Sequence, residues 1–305
     1  MTREQYLKNL SVPQGPVDVV IDTDTYNEID DQFAVSYLIR SGEKLHTKAV
    51  YAAPFFNENS TSPGDGMERS YQEILKLFAL LNLTEEDIPV FRGSQDYLAD
   101  EKTPQPSPAA DDLVRRAASY SAEHPLYVVA IGAITNVASA LLLDPSIAEK
   151  IVLVWLGGNA WHHHTEREFN MGQDIAAARI VMSCGAPFVQ LPCIGVVDSF
   201  TVSKPELEYW FCDKNPLADY LARNTIAAAD AYAAGKAWTR VIWDVTAVAW
   251  LLNDEDRFLC SRLVNTRLPN YDHSYGEQDP TLLSRYVYKV RRDALLNDLI
   301  EKLTK

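Results

Sequence analysis

Five carboxylates fall within ten residues of this chain: Asp22, Asp24, Glu28, Asp30 and Asp31, in the run IDTDTYNEIDD. Like charges at that density repel one another, and burial adds the cost of removing their water. Two remedies are chemically available, protonation through raised pKa values or a hard cation with oxygen ligands. Calcium accepts about six to eight oxygens at roughly 2.3–2.6 Å and tolerates irregular geometry, so such a cluster suits it. The competing reading is a solvated acidic turn, with Asp30 and Asp31 favourably placed at a helix N-terminus.

The elements around the cluster decide where it sits. Val17 to Asp24 (VDVVIDTD) is β-branched, follows Gly15-Pro16 and reads as a strand; Asp31 to Arg40 then places Phe33, Ala34, Tyr37 and Leu38 on one helical face. Further strands are expected at Lys48–Ala53, Leu126–Ile131, Ile151–Leu156 and Phe188–Leu191. Helices are expected around Met67–Phe78, at Thr135–Leu143 and at Asp174–Cys184, the last ending before Gly185. Strands apolar on both faces and alternating with helices imply an α/β fold, a mostly parallel, doubly wound open sheet flanked by helices. Beyond Lys204 the pattern is mainly helical, and Arg267 to Asp279 reads as irregular. No repeat or linker divides residues 1–305, which are read as one domain. In such a sheet ligands collect beyond the carboxyl ends of the strands, where the acidic run falls.

Asp+Glu 42 against Lys+Arg 28 gives a formal net charge of −14. That excess disfavours phosphate backbones and anionic lipid, so no nucleic acid polymer and no membrane is expected as partner. An uncharged nucleoside is not excluded. The cysteines (Cys184, Cys193, Cys212, Cys260) form no CxxC pair and read as reduced, mostly buried thiols. With a polar N-terminus and no apolar run of membrane length, a cytoplasmic location is expected.

Spacing tests the familiar acidic loops. A calcium EF-hand counted from Asp22 needs Gly at its sixth position and Glu at its twelfth, where Asn27 and Phe33 stand. A haloacid-dehalogenase-like phosphatase begins with a strand and DxDx[TV]; Asp22-Thr23-Asp24-Thr25-Tyr26 comes close, with Asp22 and Asp24 as its catalytic pair, but Tyr26 departs from the pattern. Four segments taken together match better. VVIDTDTYNEIDDQFA, VVAIGAITNVASALLLDPSIAEKI, VLVWLGGN with EFNMGQDIAAARIVMSCGAP, and WDVTAVAWLL occur in that order. They resemble the acidic loop, the Gly-x-Leu-Thr-Asn helix start, the double-glycine strand with its Glu-Phe-Asn site, and the late Asp helix of the inosine-uridine-preferring nucleoside hydrolase family.

That resemblance implies a calcium-dependent N-ribohydrolase splitting a ribonucleoside into base and ribose, as a homodimer or homotetramer. By analogy Asp24, Asp31 and Asp244 would bind calcium (Ca2+) with the backbone carbonyl of Ile131, and Asp24 would also act as general base. Asp30 would accept from a ribose hydroxyl, while Glu168 and Asn170 would hold the sugar. A non-catalytic ribose or nucleoside sensor on the same scaffold is the third reading.

This chain departs from the family pattern in several places. Asp24 to Asp30 spans six positions rather than four, so the carboxylates converge only if the extra residues bulge outward. His162 stands where the family has an asparagine, in a Trp161-His162-His163-His164 run; it is either a surface residue or one that reaches the substrate. Trp243 precedes Asp244, where inosine-uridine-preferring members carry a His and purine-specific members a Trp. Stacking on Trp243 would favour purines, with Tyr97 and Trp161 as candidate second partners.

Overall fold

The computed structural model describes residues 1–305. Ten strands form: β1 (Val17–Thr23), β2 (Leu45–Ala52), β3 (Val90–Arg92), β4 (Leu126–Ala130), β5 (Ile151–Leu156), β6 (Phe188–Leu191), β7 (Thr201–Ser203), β8 (Thr239–Val241), β9 (Leu259–Pro269) and β10 (Tyr275–Val290). Eight of them make one sheet in the order β3-β2-β1-β4-β5-β6-β10-β9, while β7 and β8 pair separately. Every neighbour in the main sheet is parallel except β9, which runs antiparallel to β10 at the edge.

The alternation of side chains explains why these strands read as unbroken apolar runs. Val19, Ile21, Val129, Val152 and Val154 enter the core on one face of the sheet. Val20, Val128, Leu153 and Trp155 enter the core on the other. Both faces are covered, so polar alternation is absent, as a doubly wound parallel sheet requires.

The chain runs outward in one direction from β1 through β2 to β3, then returns to β4 on the opposite side of β1. The strand order therefore reverses between β1 and β4, leaving a crevice beyond their carboxyl ends. The acidic run opens directly into it. Asn136, at the start of the helix Thr135–Leu143, ties the neighbouring strand ends together. Its amide donates to Asp22 Oδ1 at 2.7 Å and to the Ala52 carbonyl at 3.2 Å, and its oxygen accepts from the Ser94 amide at 2.8 Å.

Helices Asp31–Arg40 and Thr135–Leu143 and strands Ile151–Leu156 and Phe188–Leu191 have the expected bounds. The helix expected around Met67–Phe78 is longer, Pro63–Leu81, capped by the Ser62 hydroxyl and ended by Asn82 in a left-handed conformation. The region read as irregular, Arg267 to Asp279, is instead the end of β9, the hairpin turn and the start of β10. Register shifts and exposed residues along both strands break the period of two, which hid them in the sequence. Of the cysteines only Cys193 is buried; the other three are half-buried, and all four are free.

Because Asn136 satisfies buried groups on β1, β2 and the loop after β3, Asn136→Ala leaves several of them unpaired. A loss of about 2–3 kcal/mol in unfolding free energy is expected, measured by denaturant titration.

Candidate active site

The acidic loop solves its spacing problem by turning its extra residues outward. Tyr26 is 40% exposed and Glu28 is exposed, whereas Asp24, Asp30 and Asp31 are buried. Asn27, also buried, turns inward; its amide donates back to the Asp24 carbonyl at 2.7 Å. Glu28 pairs with Arg240 at 2.7 Å at the rim.

Oxygens of Asp30, Asp31 and Asp244 lie within 4.8 Å of one another, all buried. Asp244 comes from far along the chain, at the start of the helix Val245–Leu251, and its backbone amide reaches toward Asp30. Asp24 adjoins Asp31 and is completely buried, with neither carboxylate oxygen hydrogen-bonded. Gly132 is required beside it, since a Cβ there would come within 2.9 Å of the Asp24 carboxyl carbon. Thr23 donates its hydroxyl to Asp31 at 2.5 Å.

Burial and mutual repulsion drive these carboxyls toward the protonated form. Asp30 is raised to about 8, by burial and then by Glu28 and Asp31, and Asp31 to about 6, chiefly by burial. Asp24 and Asp244 are pushed well above their ordinary values, first by burial and then by the other aspartates. Orphaned buried oxygens on Asp24 and an all-oxygen donor set fit a hard divalent cation.

The cavity beside this cluster has a volume of about 170 Å³. Asp30, Asp31, Ile131, Glu168, Asn170, Trp243 and Asp244 line it, so seven of the sequence-selected residues meet there. Asn170 donates its amide to the Ile131 carbonyl at 3.1 Å and to the Leu156 carbonyl at 3.0 Å, fixing both strand ends. Glu168 caps the helix Phe169–Gln173, accepting from the amides of Asn170 (2.8 Å), Met171 (2.9 Å) and Gly158 (2.8 Å).

Other selected residues fall elsewhere. His162 is exposed, lies against Gly195 and does not line the cavity. The reason is Trp161, whose amide donates to the Tyr286 hydroxyl and whose ring packs on Tyr286 at 4.5 Å, turning the following histidines outward. Tyr97 donates to Gln173 at 2.5 Å, and neither it nor Trp161 lines the cavity. Asp22 and Asp24 are both fully buried and neither lines the cavity itself; Asp22 is held by Asn136, whereas Asp24 adjoins Asp31, which does line it.

Asn27, Asn159, Arg167, Phe169, Cys193 and Ile194 also line the cavity and were not selected. Asn159 follows the double glycine and Phe169 sits within Glu-Phe-Asn, so both were within reach of motif reasoning. Cys193 and Ile194 carry no signal beyond following the carboxyl end of β6.

The model of the inosine-uridine preferring nucleoside hydrolase family matches residues 19–277. The chain belongs to that family. Among curated relatives of this nucleoside hydrolase, the pyrimidine-specific ribonucleoside hydrolase RihA of Escherichia coli is 27% identical over 253 residues, covering 74% of this chain and 77% of the relative. A purine-preferring ribonucleoside hydrolase from Gardnerella vaginalis superposes with a TM-score of 0.74 at 20% identity, covering 94% of this chain and 98% of the other. The plant nucleoside hydrolase PpNRh1 gives 0.73 at 21% identity, with 95% and 99% covered.

Raised carboxyl pKa values mean that the cation-free folded state binds more protons than the unfolded chain. Stability of the chelated hydrolase therefore falls as pH rises from about 4 through the Asp31 and Asp30 values near 6 and 8. A divalent cation held by the cluster would raise Tm more at pH 8 than at pH 6, read by scanning calorimetry with added calcium as the probe. Asp24→Asn should stabilise the chelated protein at pH 8 and shrink the calcium effect; equal calcium shifts in both proteins would contradict this.

Proposed function

We propose that this nucleoside hydrolase cleaves the N-glycosidic bond of ribonucleosides by water, releasing base and ribose. The observation that carries the reading is the convergence of four buried aspartates at the crevice between β1 and β4, beside a cavity walled by Glu168 and Asn170. Asp24, Asp31, Asp244 and the Ile131 carbonyl would hold calcium. Bound there, the ion supplies positive charge that makes water more acidic and attracts vicinal hydroxyls.

The chain's own residues do the rest. Asp24, with two unpaired oxygens, takes the proton from the attacking water. Asp30 accepts from a ribose hydroxyl, and Glu168 and Asn170 orient the sugar in the cavity. As the glycosidic bond lengthens, the ribose becomes oxocarbenium-like, and surrounding carboxylates favour that positive charge. Trp243 presents an indole to the cavity, and stacking on an electron-poor base contributes about 1–2 kcal/mol, which favours purines.

Recognition of ribose through its hydroxyls predicts discrimination against deoxyribose, because unpaired buried polar groups cost about 1–3 kcal/mol each. Incubation with inosine, 2′-deoxyinosine, uridine and p-nitrophenyl phosphate, with and without chelator, tests the whole reading. Expected are reducing sugar from inosine, at least about tenfold less from 2′-deoxyinosine, less from uridine than from inosine, and loss of the activity on chelation. Phosphate release, or equal rates on ribose and deoxyribose, would contradict it.

A further inference from the structure

No histidine lines the cavity, although loss of a nucleobase needs its developing negative charge neutralised. The structure offers another cation for that task. A groove of about 560 Å³ adjoins the cavity and shares Asn27 and Glu28 with it. The cavity, about 170 Å³, has room for the sugar and the inner edge of a base against Trp243, and the adjoining groove has room for the rest of a two-ring base. Tyr26, Tyr220 and Tyr232 give the groove aromatic surface, and Lys76 and Arg240 are its cations.

Lys76 is already engaged. Its ammonium lies over the Tyr220 ring at 4.1 Å, donates to the Tyr220 hydroxyl and pairs with Glu73. Arg167, the cation lining the cavity, is exposed, where water screens its charge. Arg240, although also engaged, keeps one buried donor free. Its side chain is 21% exposed, it donates to Glu28 at 2.7 Å and to the Tyr232 hydroxyl at 3.2 Å, and its Nε is buried without a partner. Glu28, the partner that holds it at the boundary between cavity and groove, belongs to the lengthened acidic loop.

We propose that Arg240 is the residue that stabilises the leaving base, donating from its guanidinium to the base as the bond to ribose breaks. The proposal rests on the hydrolase reading above and deepens it. Water oxygen bonds to C1′, the C1′–N bond breaks, and its electron pair passes to the ring nitrogen and onward to an acceptor atom such as a keto oxygen. The water proton goes to Asp24 and then to solvent; the departed base takes a proton from solvent. Arg240 stays protonated throughout, since guanidinium does not titrate in this range. Glu28 is a positioning residue, aiming the guanidinium without touching the reacting atoms. The favoured substrates are bases with an acceptor on the ring or an exocyclic keto oxygen.

An activated leaving group separates this role from a structural one. p-Nitrophenyl β-D-ribofuranoside carries the same sugar, but its phenolate departs without assistance. Arg240→Met should lower kcat on inosine by about a hundredfold or more, the scale of one lost transition-state donor, yet alter p-nitrophenyl riboside cleavage by less than about threefold. Arg240→Lys should recover part of the inosine rate. Retained p-nitrophenyl riboside activity also establishes that the variant is folded. Equal losses on both substrates, or an undiminished inosine rate, would overturn the assignment of Arg240. Wild-type protein inert toward both would instead overturn the hydrolase reading.

Discussion

Four aspartate side chains, Asp24, Asp30, Asp31 and Asp244, sit out of water within reach of one another, and electrostatics forbids all of them to be charged without compensation. Burial is the largest cause raising each carboxyl pKa, and repulsion from neighbouring acids adds to it, while hydrogen bonding to Thr23 and Asp244 partly offsets the rise at Asp31. A divalent cation would resolve the conflict, and the buried oxygen donor set fits one. Stability is sacrificed locally for chemistry, as is common at functional sites. The surrounding structure must therefore hold the cluster against its own repulsion. Thr23 does so by donating to the Asp31 carboxylate, Asn136 by donating to Asp22, and Asn170 by donating to the Ile131 carbonyl at the end of β4.

Topology supplies the place. Reversal of strand order between β1 and β4 opens a crevice, and the loops after β1, β4 and β5 all contribute residues to its wall. Helix Val245–Leu251 then brings Asp244 from more than two hundred residues away. The edge hairpin contributes as well. Tyr275 near its turn donates to the Asn159 carbonyl at 2.9 Å and accepts from Gln190 at 2.9 Å, and the His273 carbonyl accepts from the Glu166 amide. That clamp holds the wall of the cavity in which Asn159 and Glu168 stand.

Most of this was readable in the sequence because it depends on local signals. β-Branched runs marked β1, β4, β5 and β6, and the carboxylate density after β1 announced the crevice. Asp244 was legible only through its motif, since no local property links it to Asp31. His162 was misplaced because its position depends on Trp161 docking against Tyr286, a long-range contact that spacing does not encode. The hairpin was missed for a related reason: its strands carry bulges and mixed exposure, so neither alternation nor an apolar run survives. Arg240 gained meaning only when folding set it against Glu28 across the rim. Sequence reasoning thus recovers what one element dictates and loses what two distant elements decide together.

Calcium titration of chelator-stripped protein, with binding heat and ribose formation from inosine followed together, measures whether ribose release depends on a cation held by the aspartate cluster. Saturation is expected at one calcium per chain, with activity rising in proportion to occupancy and both signals lost in Asp244→Ala. Full ribose release from stripped protein, or calcium binding unchanged in Asp244→Ala, would contradict it.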